Sequence, residues 1–433
     1  MNFQTLSYDV IGIGFGPSNL AIAIALEEHQ QANEAPLNCC FIEKQPAFEW
    51  HGGMLLDNTH LQVSFLKDLV TLRNPSSRYS FINYLHQQRR LESFINLGTF
   101  FPSRLEYNDY MRWAATAFKD RVHYGEEVIA VEPLEENGKV EWLQVVSRLK
   151  EGAIEHRYAR NVIIGIGGYP RIPEVFKSQK HPRIIHSSQY KNCHYRFSRV
   201  GEKPRLAVIG AGQSAAEIFR DLMGRYPQGR IDLISRSRAL QPSDDSPFVN
   251  EIFDPDFTDE IYRTPREQRQ SFLRAFSHTN YSVVDLPLIE EIYERLYMQR
   301  ITGDVRHRYF PSCLIQAVSS SEERLQITLF NKNTGVHKEV EYDGIVLATG
   351  YQRDGHHKLL EGLEPWMVSR TVERSYQLPM ASGCQARVFL QGCCEETHGI
   401  ADSLLSVLAV RSKEVVDSLY MPNELKAPLE NTG

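Results

Sequence analysis

Two glycine-rich turns, about two hundred positions apart, constrain what this 433-residue chain can fold into: Gly12-Ile-Gly14-Phe-Gly16-Pro17 and Gly210-Ala-Gly212-Gln213-Ser214-Ala215. Each follows an apolar run, Tyr8 to Ile13 and Arg205 to Ile209, of the kind that makes a buried parallel strand. Behind the turns, Ser18 to Glu28 and Ser214 to Met223 space their apolar residues with a helical period. Strand, glycine turn and helix in that order hold a pyrophosphate. The glycines let the backbone come close, and the free N–H groups and positive end of the helix balance the charge. One such motif is weak, because glycine turns recur by chance; two in full context predict two dinucleotides on one chain.

The ends of the next strands indicate which nucleotide goes where. Cys39 to Ile42 makes a short apolar strand ending in Glu43, whose carboxylate can accept from ribose hydroxyls, as the adenosine half of FAD requires. The interval from Gly12 exceeds the usual ~20 residues, so an ordinary strand-end charge is the alternative. After the second motif, Ile231 to Ile234 ends in Ser235-Arg236-Ser237-Arg238, where an NAD site would carry an acid. Arginines there favour the 2'-phosphate of NADPH over a bare ribose, the alternative being a solvated basic turn.

A chain this long with 42% hydrophobic residues can bury two or three cores, which predicts several domains. The formal net charge of -6 leaves no nucleic-acid footprint, and no stretch approaches the roughly 18 apolar residues of a membrane span. Met1 to Ser7 lacks the basic start and apolar core of a signal peptide, so a cytoplasmic location is expected. The seven cysteines form no CxxC or metal-type spacing; reduced thiols and no metal are expected, and a flavin disulfide reductase is disfavoured. Asn161 to Pro170 and Asp343 to Tyr351 read as apolar strands running into glycine turns, each returning to a nucleotide-binding sheet. Asp244 to Arg300 differs, with helical charge patterns in Thr264 to Ala275 and Asp285 to Gln299, and Thr264-Pro265 as cap and first helical position. The tail from Pro422 is polar.

Several motifs add a more specific signal: Gly12-x-Gly14-x-x-Pro17, Trp50-His51-Gly-Gly-Met54, Leu61-Gln62-Val-Ser-Phe-Leu66-Lys67-Asp68, Asp244-Asp-Ser-Pro-Phe-Val-Asn250-Glu, His278-Thr-Asn280-Tyr-Ser-Val-Val-Asp285 and Ala348-Thr-Gly-Tyr351. Together, from about Asp9 to Tyr420, they resemble the N-hydroxylating flavoprotein monooxygenases, above all the bacterial ornithine N-monooxygenases of siderophore assembly. The resemblance implies that NADPH reduces FAD, that O2 adds at the flavin C(4a) position, and that the terminal oxygen of this hydroperoxide, kept from collapse by retained NADP+, passes to a primary amine.

The resemblance also assigns residues. It places Gln62 beside the isoalloxazine, Trp50 and His51 along the FAD cleft, and Val128 at the adenine end. Lys67 becomes the clamp for the substrate carboxylate, with Asn250 and Asn280 bonding the α-amino and α-carboxylate groups and Asn280 reaching the cofactor side as well. Gln62, Lys67 and Asn280 form the candidate catalytic set. Gly210, Gly212, Gln213, Ser214 and Arg236 hold NADPH, joining Gly12, Gly14, Gly16, Pro17 and Glu43 on the FAD side. Ser403, Leu404 and Leu405 touch FAD and Ser406 reaches the substrate, in a run from Thr397 expected to open a helix whose positive end faces the flavin.

The amine has to react as the neutral base, and deprotonating a group of pKa ~10.4 at neutral pH costs about 4 kcal/mol. Burial favours that form, so the pocket is expected to keep carboxylates away from the reacting nitrogen. The fold expected is α/β, with two Rossmann-like dinucleotide-binding domains, the second inserted in the first, plus a mostly helical substrate-binding region. The boundaries are 1–199 and 355–433 for FAD, 200–243 and 301–354 for NADPH, and 244–300 for the helical region. The expected reaction is hydroxylation of the L-ornithine side-chain amine. Lysine, putrescine or cadaverine are the alternatives within the class, since one methylene is worth only about 1–3 kcal/mol. A nucleotide-binding redox sensor without turnover is the alternative outside it. The amino-acid substrate and O2 are the expected partners, and a homo-oligomer is left open.

Overall fold

A computed structural model describes residues 6–33, 35–198, 201–322 and 324–421 of the chain. Most of the segment read for a leader, Met1 to Thr5, lies outside these, as does the polar tail from Pro422. Strand β1 (Ser7–Ile13) passes through the first glycine turn into helix α1 (Pro17–Asn33) and then strand β2 (Cys39–Glu43), which pairs parallel to β1 with Val10 opposite Cys39. Helix α2 (Arg104–Thr116) begins where the Ser103 side chain accepts from the Glu106 N–H, the first half of a capping box. Strand β3 (Val122–Tyr124) extends the sheet beyond β2. The meander β4 (Glu126–Glu136), β5 (Lys139–Leu149) and β6 (Ile154–Ile164) then brings β6 back beside β1 in parallel. Val10, Ile11, Val162 and Ile163 are fully buried because this part of the sheet is covered on both faces, which explains the continuous apolar runs.

The second sheet is parallel throughout. It contains β7 (Ile184–His186), β8 (Arg205–Ile209), which leads through the second glycine turn into α3 (Gln213–Arg225), and β9 (Arg230–Ile234). The helices α4 (Phe257–Arg263), α5 (Arg266–Phe276) and α6 (Leu286–Thr302) follow, then β10 (Arg308–Phe310). An antiparallel trio, β11 (Cys313–Ser320), β12 (Leu325–Asn331) and β13 (His337–Tyr342), precedes β14 (Gly344–Leu347). The order across the sheet is β10-β9-β8-β14-β7. Finally β15 (Arg387–Leu390) pairs parallel with β6 in the first sheet, and α7 (Leu408–Tyr420) packs on α1. The second unit is thus inserted into the first, as the two motifs require.

Three details depart from the sequence reading. A boundary at 199 cuts through the second lobe, because β7 hydrogen-bonds to β14 with Ile184 opposite Ile345 and lengthens that sheet. Helix α6, grouped with the substrate region, buries Leu288 and Ile292 in the core of the second lobe. The helix expected from Thr264 starts one position later than the Thr-Pro pair suggests: Pro265 is the cap and Arg266 the first helical residue.

Candidate active site

The first turn is built around contacts that only glycine permits at two points. A Cβ on Gly12 would overlap the Phe41 ring, and Gly14 has a φ of +82° with the Gly165 carbonyl oxygen 2.7 Å from where its Cβ would lie. Gly16 instead faces open space, with nothing within 4 Å of a Cβ, and Pro17 is the first residue of α1. Asn19, fully buried, ties the turn down: its Nδ2 donates to the Ile13 and Gly14 carbonyls at 3.1 and 2.7 Å, and its Oδ1 accepts from Gln391 at 3.0 Å. Glu43 sits at the end of β2 and accepts from the backbone N–H groups of Phe15 at 2.7 Å and Gln45 at 2.8 Å. A carboxylate has about four acceptor sites, so two bonds leave capacity for ribose hydroxyls at this strand end.

Along this lobe the Trp50 backbone N–H donates to Asn108 Oδ1 at 2.8 Å, and the Trp50 ring meets His51 edge-on at 5.0 Å. His51 takes a left-handed φ of 50° and turns its ring toward Tyr351. The residue is exposed, yet desolvation of the imidazole, ahead of the nearby Arg104 and Arg353, lowers its pKa to about 4, so it stands neutral. Val128 is buried in β4 opposite Ser147.

The run from Thr397 is not the opening of one helix. It forms a short helical turn, Glu395–His398, and two 3-10 turns, Ile400–Ser403 and Leu405–Val407, and regular helix begins only at Leu408. The break falls at Leu404, whose backbone is extended. Asp402 holds this run, accepting from the Cys394 N–H at 2.6 Å and pairing with Arg411. Ser406 Oγ and Gln391 Oε1 are buried with no hydrogen-bond partner among the described residues, and Ser403 lies by Tyr281. Buried polar atoms without partners are rare in native proteins. These, with the open space at Gly16, fit a polar ligand such as FAD laid across the carboxyl end of the first sheet.

The second motif borders a cleft of about 850 Å³, within the size range of ligand sites. Gly210 allows the turn to press on β14, its Cβ position being 2.4 Å from the Ala348 carbonyl oxygen, and Gly212 caps α3 with extended backbone. Gly210, Gly212, Gln213 and Ser214 form one wall. Arg236 lines the same cleft from the end of β9, whereas Arg238 does not. An exposed guanidinium beside a helix start suits a dinucleotide carrying an extra phosphate.

Gln62 and Asn280 enter this cleft from the first lobe and the helical region, so three parts of the chain meet there. Lys67 and Asn250 are not on its wall. Lys67 Nζ is 3.2 Å from Asp254 Oδ1, and Asn250 Nδ2 turns back on the Asp245 carbonyl at 2.8 Å. The segment between Asn250 and Asp254, Glu251–Phe253, packs on the Ile400–Ser403 turn. One carboxylate stands among the residues that line the cleft. Glu395 lines it, accepts from the Tyr281 hydroxyl, and has its pKa raised by burial.

The sequence profile of the L-lysine 6-monooxygenase/L-ornithine 5-monooxygenase family matches residues 6–353. An L-ornithine N(5)-monooxygenase of Burkholderia cepacia is 49% identical over 400 residues, 90% of either chain. Among solved structures, the ornithine hydroxylase PvdA of Pseudomonas aeruginosa superposes with a TM-score of 0.92 at 45% identity, covering 96% of this chain and 99% of that one. The Kutzneria sp. 744 ornithine N-hydroxylase, solved with reduced FAD, NADP+ and L-ornithine, gives 0.89 at 36% identity over 95% of this chain and 99% of its own.

Proposed function

Because the chain belongs to the L-lysine 6-monooxygenase/L-ornithine 5-monooxygenase family, we propose that it hydroxylates the side-chain amine of L-ornithine to N(5)-hydroxy-L-ornithine. One O2 and one NADPH with a proton are consumed, giving the N–OH group, NADP+ and water. FAD supplies the oxygen activation and NADPH the reducing electrons. The observation that carries this reading is the convergence of Gln62, Asn280 and the Gly210 turn on one cleft, in a chain that aligns with ornithine hydroxylases over nearly its full length.

In this reading the glycine turns and Glu43 hold FAD, while Gln213, Ser214 and Arg236 hold NADPH. Gln62 and Asn280 bound the space between the two nucleotides. Lys67 and Asn250 face the amino-acid end of ornithine, and Lys67 exchanges Asp254 for the substrate carboxylate. Desolvation in a cleft walled by three parts of the chain lowers the amine pKa and favours its nucleophilic neutral form. A product with a hydroxamate-ready N–OH group suits siderophore assembly, and the dependence on NADPH suits a cytoplasmic location.

The test is an assay of hydroxylamine product against NADPH consumed, with ornithine, lysine, putrescine and cadaverine in parallel. Product from ornithine well above the other three supports the reading, and oxidation of NADPH with no N–OH compound from any amine refutes it.

A further inference from the structure

Five hydrogen bonds connect the start of α2 to the wall of the cleft. Arg104 Nη1 donates to Glu217 Oε2 at 2.8 Å, and Glu217, 1% exposed in α3, accepts on its other oxygen from Gln213 Nε2 at 2.8 Å. The same Gln213 amide donates to Asp285 Oδ2 at 2.8 Å while its oxygen accepts from the Asp285 N–H at 2.9 Å. Asp285 Oδ1 accepts from Gln62 Nε2 at 2.6 Å. The path begins in the first lobe, crosses the second and ends on a first-lobe residue, with Asp285 as the cap of α6 at the crossing.

An ionised carboxylate accepts and never donates, whereas a glutamine amide has one accepting and one donating end. Asp285 therefore forces both glutamines to turn their NH2 groups toward it, which leaves the Gln62 oxygen directed away from the carboxylate. A neutral asparagine at the same place could accept from only one of the two amides and would set its own NH2 against the other.

We propose that Asp285 is a positioning residue that fixes the orientation of the Gln62 and Gln213 amides together, so that the nucleotide wall and the oxygen-transfer end of the cleft keep one geometry. This rests on the monooxygenase reading above. Its consequence is coupling: the share of NADPH electrons that ends in hydroxylamine rather than hydrogen peroxide depends on Asp285 through Gln62.

The experiment uses the FAD-loaded enzyme and measures hydroxyornithine and peroxide per NADPH, together with the anaerobic rate of flavin reduction. Asp285→Asn is expected to lower the hydroxyornithine yield about three- to tenfold, the worth of one or two misdirected hydrogen bonds. Gln62→Ala gives a similar loss, and the double variant is no worse than the poorer single one, because both remove the same contact. Asp285→Glu restores part of the yield. Asp285→Ser, which removes the bridge without introducing an opposed NH2, is read by the same criterion should Asp285→Asn not fold. An unchanged yield in the Asp285 variants, or losses that multiply in the double variant, overturns the proposal. A wild-type enzyme that makes only peroxide with every amine overturns the functional reading instead.

Discussion

Arg411 and Asp402 form an ion pair that is closed off from water, with Nη1 3.0 Å from Oδ1 and neither residue more than 1% exposed. The same guanidinium reaches the Asp402 carbonyl at 2.5 Å and Ser18 Oγ at 3.0 Å, so one side chain ties the turns before α7 to the first turn of α1. Removing one partner of such a pair leaves the other charged and unsolvated, which costs about 3–5 kcal/mol. Arg411→Ala is expected to lower the thermal midpoint by roughly 3 to 6 degrees and to reduce bound flavin, both read from one melting series followed by flavin fluorescence.

Lys67→Ala removes the charge assigned to the substrate carboxylate. A charge-assisted hydrogen bond is worth roughly 1.5–3 kcal/mol, so the ornithine KM should rise tenfold or more, while anaerobic reduction of the flavin by NADPH stays near the wild-type rate. Normal saturation by ornithine in this variant would take the clamp away from Lys67.

Asp254 competes for the same ammonium group. The pair is half-exposed and worth about 0.2–1 kcal/mol, so Asp254→Asn should lower the ornithine KM by up to about fivefold. A higher KM would mean that Asp254 holds Lys67 in its working position.

Arg236→Ala should narrow the preference for NADPH over NADH by about tenfold or more, through loss of a guanidinium–phosphate contact. The ratio of kcat/KM for the two reductants measures it. An unchanged ratio would move the phosphate contact elsewhere on the cleft wall.

Acid should destabilise the fold through imidazoles that resist protonation, of which His398 is the buried one. His51, His307 and His398 each have a pKa lowered to about 4, with desolvation the largest cause in every case. An unfolded histidine takes up its proton near pH 6.5. The unfolded chain therefore binds protons that the folded one refuses, and stability present above pH 6.5 is lost as the pH falls toward 4. His398 is 1% exposed, stacks on Tyr376 at 4.0 Å and bonds the Arg374 carbonyl through Nε2. In His398→Gln, the slope of stability against pH between 6.5 and 4 should flatten by about one proton, as measured by denaturant titration across that range.

The parts of the fold visible in the sequence are those with a local signature. Strands β1, β8 and β9 and helices α1 and α3 lie where the apolar runs and glycine turns predict, because period and turn chemistry are read within a few residues. Strand β7 escaped, since three residues, Ile184–His186, carry no periodic signal and pair only because β14 offers an open edge 160 positions later. The polar clamps escaped for a related reason. Asn19, Asp285 and Arg411 each join residues far apart in sequence, and a single buried polar residue looks the same in a sequence whether it ends a helix or bridges two lobes. Lys67 and Asn250 were assigned only through motif likeness, which does not report their present partners: the Asp245 carbonyl is five positions from Asn250, but Asp254 is 187 positions from Lys67.

Strand β15 seals the first sheet only after everything from β7 onward has been made. During synthesis from the amino end, the Asn161–Ile164 end of one β6 edge, beyond the part held by β5, waits more than two hundred residues for Arg387–Leu390, and Asn19 waits longer still for Gln391. A nascent chain can therefore finish its second nucleotide unit, whose strands are contiguous, before its first. Closure of the first sheet therefore follows the emergence of the carboxyl-terminal segment from the ribosome.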